Sequence, residues 1–357
     1  MTTHHRVTHD VEGRNSGTWP VVTPEHFITP IERFFIRSHA PAPAIDPDTF
    51  HLEIDGLVNR PLRFPLKELQ ARFARHSVDA TLVCAGLRRA EFLTLGPLPG
   101  ELPWGLEPVS TGSWAGVRLS DVLRAAEIVA GARYVEFTGL DQVEREGVHF
   151  GFGGCIDLEK ALAGDVLLAT ELNGAPLPPM HGFPLRAVVP GWIGARSVKW
   201  LGRITLCAEP SKNYFQSKAY RTQRVLDPEQ PRDVSAGDAL GEVPLNAVMI
   251  HPADGAEVVA GAVTVRGWAM GSASRPLTSV QVSADGNEWY RARLTVQGSV
   301  WTWSFWEAVL QLAAGPHTLA VRATDSEGTT QPAELSETWN VKGYANNAWH
   351  RVNVVAR

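Results

Sequence analysis

The sequence predicts an α+β domain followed by an all-β domain of the immunoglobulin-like sandwich type. From Ile28 to about Leu206, short apolar strands mix with modest helical segments, without the regular alternation of a parallel βαβ series. Between about Thr222 and Leu245 the chain turns polar and aperiodic, as in Asp227-Pro228-Glu229-Gln230-Pro231-Arg232-Asp233, which reads as a linker. Beyond it, short alternating strands separated by turn residues run to the C-terminus. The expected organisation is an arm over 1–25, a catalytic domain over 26–222, a linker over 223–244 and the β domain over 245–357.

Each element has a local cause. Residues 1–25 are polar and turn-rich, and a loosely ordered arm is expected. In Pro65-Leu66-Lys67-Glu68-Leu69-Gln70-Ala71-Arg72-Phe73, proline opens a helix whose apolar residues follow helical spacing. Ala80-Thr81-Leu82-Val83 is a strand leading into Cys84. Leu119 to Ala126 repeats the helical pattern, with Ser120 as candidate cap. Tyr134–Phe137 and Arg186–Val189 are strands by composition. In the second domain, strands are expected over Ala262–Trp268, Ser279–Ser283, Trp289–Leu294 and His317–Ala323, with a turn at Asp285-Gly286-Asn287.

Composition excludes several classes of function. The chain has 357 residues, enough for two cores, and 33 basic against 38 acidic residues give a net charge of −5. No basic run points to nucleic acid or to an anionic membrane surface. Cys84, Cys155 and Cys207 are widely spaced and odd in number, which is no disulfide framework and fits a reducing compartment. The N-terminus lacks a signal-like apolar core, and no apolar stretch is long enough to span a bilayer. A soluble, cytoplasmic protein is expected.

Chemistry concentrates around Cys84, in Leu82-Val83-Cys84-Ala85-Gly86-Leu87-Arg88-Arg89. A thiolate is the metal-binding form of cysteine, and neighbouring arginines favour it. Taken alone, such a cysteine is more often a buried small hydrophobe. Four further clusters join arginine or histidine to glycine, proline or aromatics: Phe34–His39, His181–Trp200, Ser211–Arg221 and Asn346–Arg351. Arg186 and Lys199 offer donors for an anion, but neither a Walker loop nor a dinucleotide fingerprint is present. Cys84 with His181 or His39 as a cysteine-hydrolase pair lacks a local signature, and no GxSxG elbow occurs.

Taken together these segments resemble, in order from about Ile28 to Arg351, the sulfite oxidase family of molybdenum enzymes. The most specific pieces are Cys84-Ala85-Gly86-Leu87-Arg88-Arg89, similar to the family's CAGNRR, the stretch from Glu171 to Trp200, and Asn347–Val352. The resemblance implies that Cys84 ligates molybdenum held by molybdopterin. It implies that Arg37, His39, Asp141, His181, Arg186, Ser197 and Lys199 hold the pterin and its phosphate. For the substrate pocket it implies Arg37, Arg89, Trp104, Tyr220 and Arg351, with Arg351 bringing the second domain into the site. The implied reaction is oxygen-atom transfer converting sulfite to sulfate, with electrons passed to a separate acceptor and no haem in this chain. A homodimer through the β domain is implied as well. A molybdopterin enzyme reducing another oxyanion or an S-oxide, and a non-catalytic binding protein with the same fold, are the alternatives. Leu87 and Ser38 stand where the family usually has asparagine, Ala219 replaces an acidic residue, and Phe152–Asp157 departs from YxxSIP. These departures are expected to bear on the substrate.

Overall fold

In the computed structural model, residues 5–19, 24–223, 236–272 and 275–357 are described. Most of the expected linker, 224–235, lies outside them.

A period of two builds the first sheet. In the strand His51–Gly56, Leu52 and Ile54 are buried while Glu53 and Asp55 face outward. That strand lies in a five-stranded mixed sheet ordered Gly153–Asp157, Tyr134–Gly139, Leu201–Cys207, His51–Gly56, Leu62–Pro65. Only the pairing of Leu201–Cys207 with His51–Gly56 is parallel. A second, antiparallel sheet is ordered Ala175–Pro176, Leu167–Leu172, Val109–Arg118, Arg75–Val83, and Arg186–Val188 also pairs with Leu167–Leu172. Ile54, Phe137 and Ile204 from the first sheet meet Val117, Leu168 and Ala187 from the second in one core. The helix Leu119–Ala125 closes that core with Leu119, Val122 and Leu123, the i, i+3, i+4 face.

Both expected helices form. The first spans Leu66–Arg72, with extended Pro65 as the residue before it and Leu69 as its buried anchor. The second is capped differently from expectation, because Arg118 is the N-cap residue and Ser120 lies buried inside the helix. With Ser120 already helical, its hydroxyl cannot reach forward to the free amides of the first turn.

The expected loose arm is corrected for residues 5–19. His5–Thr8 and Asn15–Trp19 form an antiparallel hairpin whose second strand pairs with Ile36–Arg37. Asp10 organises its turn: Oδ1 accepts from the amides of Glu12 and Arg14, each at 3.0 Å. The hairpin packs closely against the domain, since a Cβ on Gly17 would stand 2.6 Å from the carbonyl oxygen of Glu107.

The second domain is β-rich. One sheet runs Asn246–His251, Gly261–Met270, Ser304–Leu312, Arg293–Val296, and the other Ala256–Val258, His350–Ala356, Gly315–Asp325, Leu277–Ala284, Tyr290–Arg291. Val265 and Leu310 of the first share a core with Val282, Val321 and Val354 of the second. Where the domains meet, Val83, Ala85 and Leu87 join Val248, Trp268, Met270 and Trp303 in a further apolar cluster. Among the described residues no helix is long and apolar enough to cross a membrane.

Candidate active site

The strand Arg75–Val83 buries its last four residues and delivers Cys84 to a tight turn, in which the Leu87 amide donates to the Cys84 carbonyl at 3.0 Å and the Gly86 amide approaches Sγ at 3.4 Å. Gly86 has no room for a side chain: a Cβ would lie 2.9 Å from both Arg89 Cζ and Trp104 Cδ1. Arg88 then takes a left-handed conformation, φ 62°, which sends the two arginines in different directions.

Arg88 goes to the domain junction, which corrects its expected place beside the thiolate. Its guanidinium grips Glu91 through two bonds of 2.8 Å and donates to Asn246 Oδ1 at 3.0 Å and the Ala348 carbonyl at 2.7 Å. Arg89 stays behind the Cys84 loop. It donates to the carbonyls of Leu102 and Gly343, pairs with Glu101 at 3.3 Å, and lies over the Tyr344 ring. Burial pushes the Cys84 thiol up, and the charges of Arg37 and Arg89 work against that rise.

One cavity gathers Arg37, His39, Cys84, Asp141, His181, Arg186, Ser197, Lys199 and Tyr220. At one end Arg186 is held by the carbonyls of His181 and Ser197, each at 2.9 Å, and lies over the Trp114 ring. Lys199 donates to Ser38 Oγ at 2.5 Å and to the Met180 carbonyl at 3.0 Å. Burial lowers Arg186 to about 9, and burial followed by neighbouring cations lowers His181 to about 3 and Lys199 well below the usual lysine range. Among the described residues Asp141 is the one acid on the lining, with its carboxylate accepting from the Phe152 amide at 2.9 Å and its pKa raised by burial. Arg37, Arg186 and Lys199 against one carboxylate leave the cavity electropositive. A bound anion resolves that imbalance.

At the other end, Arg145 donates to His39 Nδ1 at 3.2 Å, and Arg37 Nη2 stands 3.4 Å from the same atom. Guanidinium groups only donate, so Nδ1 is the acceptor and the ring proton sits on Nε2, which donates to the Tyr220 hydroxyl at 2.9 Å. The Tyr220 proton is thereby left for another partner. Burial, then Arg37, Arg145 and Lys199, hold the His39 pKa well below its ordinary value, which keeps this tautomer neutral.

Trp104 is fully buried and does not line the cavity; it packs behind Gly86, with the His9 ring 4.4 Å away. Its indole Nε1 has no partner among the described residues. Arg351 is not in the pocket either, and its expected role is corrected. Its guanidinium donates to the Ala333 carbonyl at 2.8 Å and Glu334 at 3.0 Å, on a strand paired with Gly315–Asp325. The second domain reaches the site instead through Gly343–Ala345: the Ala345 amide donates to the Ala85 carbonyl at 2.7 Å, and the Tyr344 ring stacks on Tyr220 at 5.3 Å. Sequence reasoning missed Tyr344 and Arg145. Arg145 sits in Gln142–Gly147, which reads only as a polar turn.

Residues 39–215 match the oxidoreductase molybdopterin binding domain, and residues 238–357 match the Mo-co oxidoreductase dimerisation domain. The sulfite oxidase of Gallus gallus is 39% identical over 338 residues, which cover 92% of this chain and 73% of that protein. The chain belongs to the sulfite oxidase family. It is an enzyme of the sulfite oxidase type, built for a molybdenum cofactor. Within the family's wider kin, the nitrate reductase [NAD(P)H] of Hordeum vulgare is 36% identical over 92% of this chain and 39% of its own length. The sulfane dehydrogenase SoxCD of Paracoccus pantotrophus superposes with a TM-score of 0.76 at 26% identity, covering 91% of this chain and 80% of that one.

Two departures from the sulfite oxidase family motifs now have places. Ser38 lines the cavity as the acceptor for Lys199. Leu87 does not face it; it is buried at the domain junction beside Val243, Trp268 and Met270. Leu87→Asn is therefore expected to cost about 2–4 kcal/mol of stability, from lost apolar burial and a stranded amide, while leaving the KM for the substrate unchanged. Urea unfolding alongside steady-state kinetics checks it, and a shifted KM at unchanged stability would contradict the placement.

Proposed function

We propose that this enzyme oxidises sulfite to sulfate by oxygen-atom transfer and hands two electrons to a separate acceptor. The observation that carries this reading is one buried, electropositive cavity holding a soft thiol, with a tyrosine hydroxyl oriented at its other end. The donor set fits the family's cofactor. Cys84 would hold the metal, since thiolate suits a redox-cycling centre, and Arg37, His39, Asp141, His181, Arg186, Ser197 and Lys199 would hold the pterin and its phosphate. When bound, molybdenum with molybdopterin supplies the two-electron couple and the exchangeable oxygen that the conversion needs.

The chain's own groups do the rest. Arg37 attracts and orients the anion, and Arg89 adds positive potential from behind the Cys84 loop. Trp104 fixes that loop through Gly86 and keeps water from it. Tyr220, accepting a hydrogen bond from His39 Nε2–H, directs its own hydroxyl proton to a substrate or product oxygen. Arg351 has no part in this. The fold favours retention of the reaction type, and the sulfite oxidase relative favours sulfite over nitrate as substrate.

Purified, molybdenum-loaded protein given sulfite and a dye acceptor is expected to turn over, and Tyr220→Phe to lower kcat about 10–100-fold at unchanged molybdenum content. Nitrate reduction without sulfite oxidation would overturn the reading. We read the two-sheet second domain as an immunoglobulin-like sandwich that pairs two chains; a monomer by light scattering at micromolar concentration would refute that. A cytoplasmic location is supported by the free thiols of Cys155 and Cys207.

A further inference from the structure

We propose that Asn15, on the N-terminal hairpin, is a positioning residue: its neutral amide orients Arg37 toward the oxyanion without neutralising the guanidinium. This rests on the sulfite-oxidising reading above. Asn15 is buried and sits opposite Arg37 in the strand pairing. Arg37 Nη1 donates to Asn15 Oδ1 at 2.7 Å and to the Ser38 carbonyl at 2.9 Å, which uses both of its protons. Nη2 gives one proton to His39 Nδ1 at 3.4 Å. Nε–H and the second Nη2 proton keep no acceptor among the described residues, which leaves two donors of the guanidinium for an oxyanion.

The orientation of the Asn15 amide follows from its other end, where Nδ2 donates to Asp10 Oδ2 at 2.6 Å. Asp10 is thus kept one side chain away from Arg37, with the amide standing between carboxylate and guanidinium. Arg89 makes the contrast, because it is paired directly with Glu101 at 3.3 Å. A carboxylate at position 15 would hold Arg37 equally well and cancel its attraction for an anion. The neutral acceptor positions it and leaves its charge to the ligand.

The test uses full-length, molybdenum-loaded protein. Asn15→Asp combined with Asp10→Asn moves the carboxylate next to Arg37 without changing net charge or the number of hydrogen bonds in the turn. Asn15→Ala removes the positioning alone, and Glu12→Gln, which removes a hairpin carboxylate paired with Arg14 rather than with Asn15, is the control. Sulfite KM and kcat are measured, and the affinity for sulfate is measured separately by titration calorimetry. The exchanged pair is expected to raise sulfite KM and sulfate Kd about ten-fold, and Asn15→Ala about three-fold, with kcat within about two-fold and the control near wild type. An exchanged pair that binds sulfate no worse than Asn15→Ala, or a fall in kcat with KM unmoved, overturns the proposal. Should the exchanged pair fail to load molybdenum, Asn15→Ala decides: sulfate affinity unchanged at full metal content also overturns it. If the wild type does not oxidise sulfite, the sulfate titrations still rank the variants, so the two readings fail separately.

Discussion

Cys84→Ser is expected to lower sulfite turnover by at least about a hundred-fold, because an alcohol oxygen replaces the soft thiolate that would hold the metal. The substitution nearly conserves volume, and among the described residues the side chain makes only one polar contact, from the Gly86 amide at 3.4 Å. The turn itself is held by backbone bonds, including Cys84 amide to Pro108 carbonyl at 3.0 Å, which serine leaves intact. Stability should therefore hardly move, and the loss belongs to chemistry rather than folding. The groups expected to hold the pterin lie elsewhere on the lining, so pterin content should persist. Measuring kcat, molybdenum and pterin on the same preparation checks this. Turnover at the wild-type level would remove Cys84 from the reaction.

Arg88→Ala is expected to be the most damaging change outside the cavity, costing about 3–5 kcal/mol. The guanidinium is fully buried, and its removal takes the paired charge from Glu91, which keeps a bond from Asn346 at 3.0 Å, and leaves Asn246 Oδ1 and the Ala348 carbonyl only the longer bonds from Gln331, at 3.5 and 3.3 Å. Glu91 is held below the usual carboxylate range chiefly against its own burial, with Arg88 as the leading favourable charge. Asn246 and Ala348 belong to the second domain, so the same change loosens the seam through which Tyr344 reaches Tyr220. Arg203→Ala gives the contrast: its bonds to Glu53 and Asp55 lie at the surface, with the arginine 51% exposed, and the expected cost is at most about 1 kcal/mol. Urea unfolding of both variants compares them, and equal midpoints would contradict the junction role.

Much of this protein is legible locally. The alternation in His51–Gly56, the helical spacing after Pro65, and the strands Gly261–Met270 and Gly315–Asp325 follow from residue periodicity alone. The cavity lining was legible as motif chemistry, since Cys84, His181, Arg186, Ser197 and Lys199 stand in glycine-bearing segments where backbone and donors approach together. Ser120 misled because a cap depends on where the first helical turn begins, and Arg118 takes that position.

What the sequence by itself determined is the kind of chemistry: a soft ligand at Cys84, an excess of cations for an anion, and a first domain joined to a β-rich second one. Only the tertiary structure decided where each charge points. A left-handed backbone at Arg88 turns that residue to the domain seam and leaves Arg89 behind the loop. Strand alternation puts His350 inside and turns Arg351 to Ala333 and Glu334, away from the cavity. Residues 5–19 look featureless alone, yet their free edge pairs with Ile36–Arg37 and sets Asn15 on the guanidinium. Periodicity and ligand softness are properties of neighbouring residues, whereas the direction of a guanidinium and the partner of a strand edge depend on segments far apart in the chain.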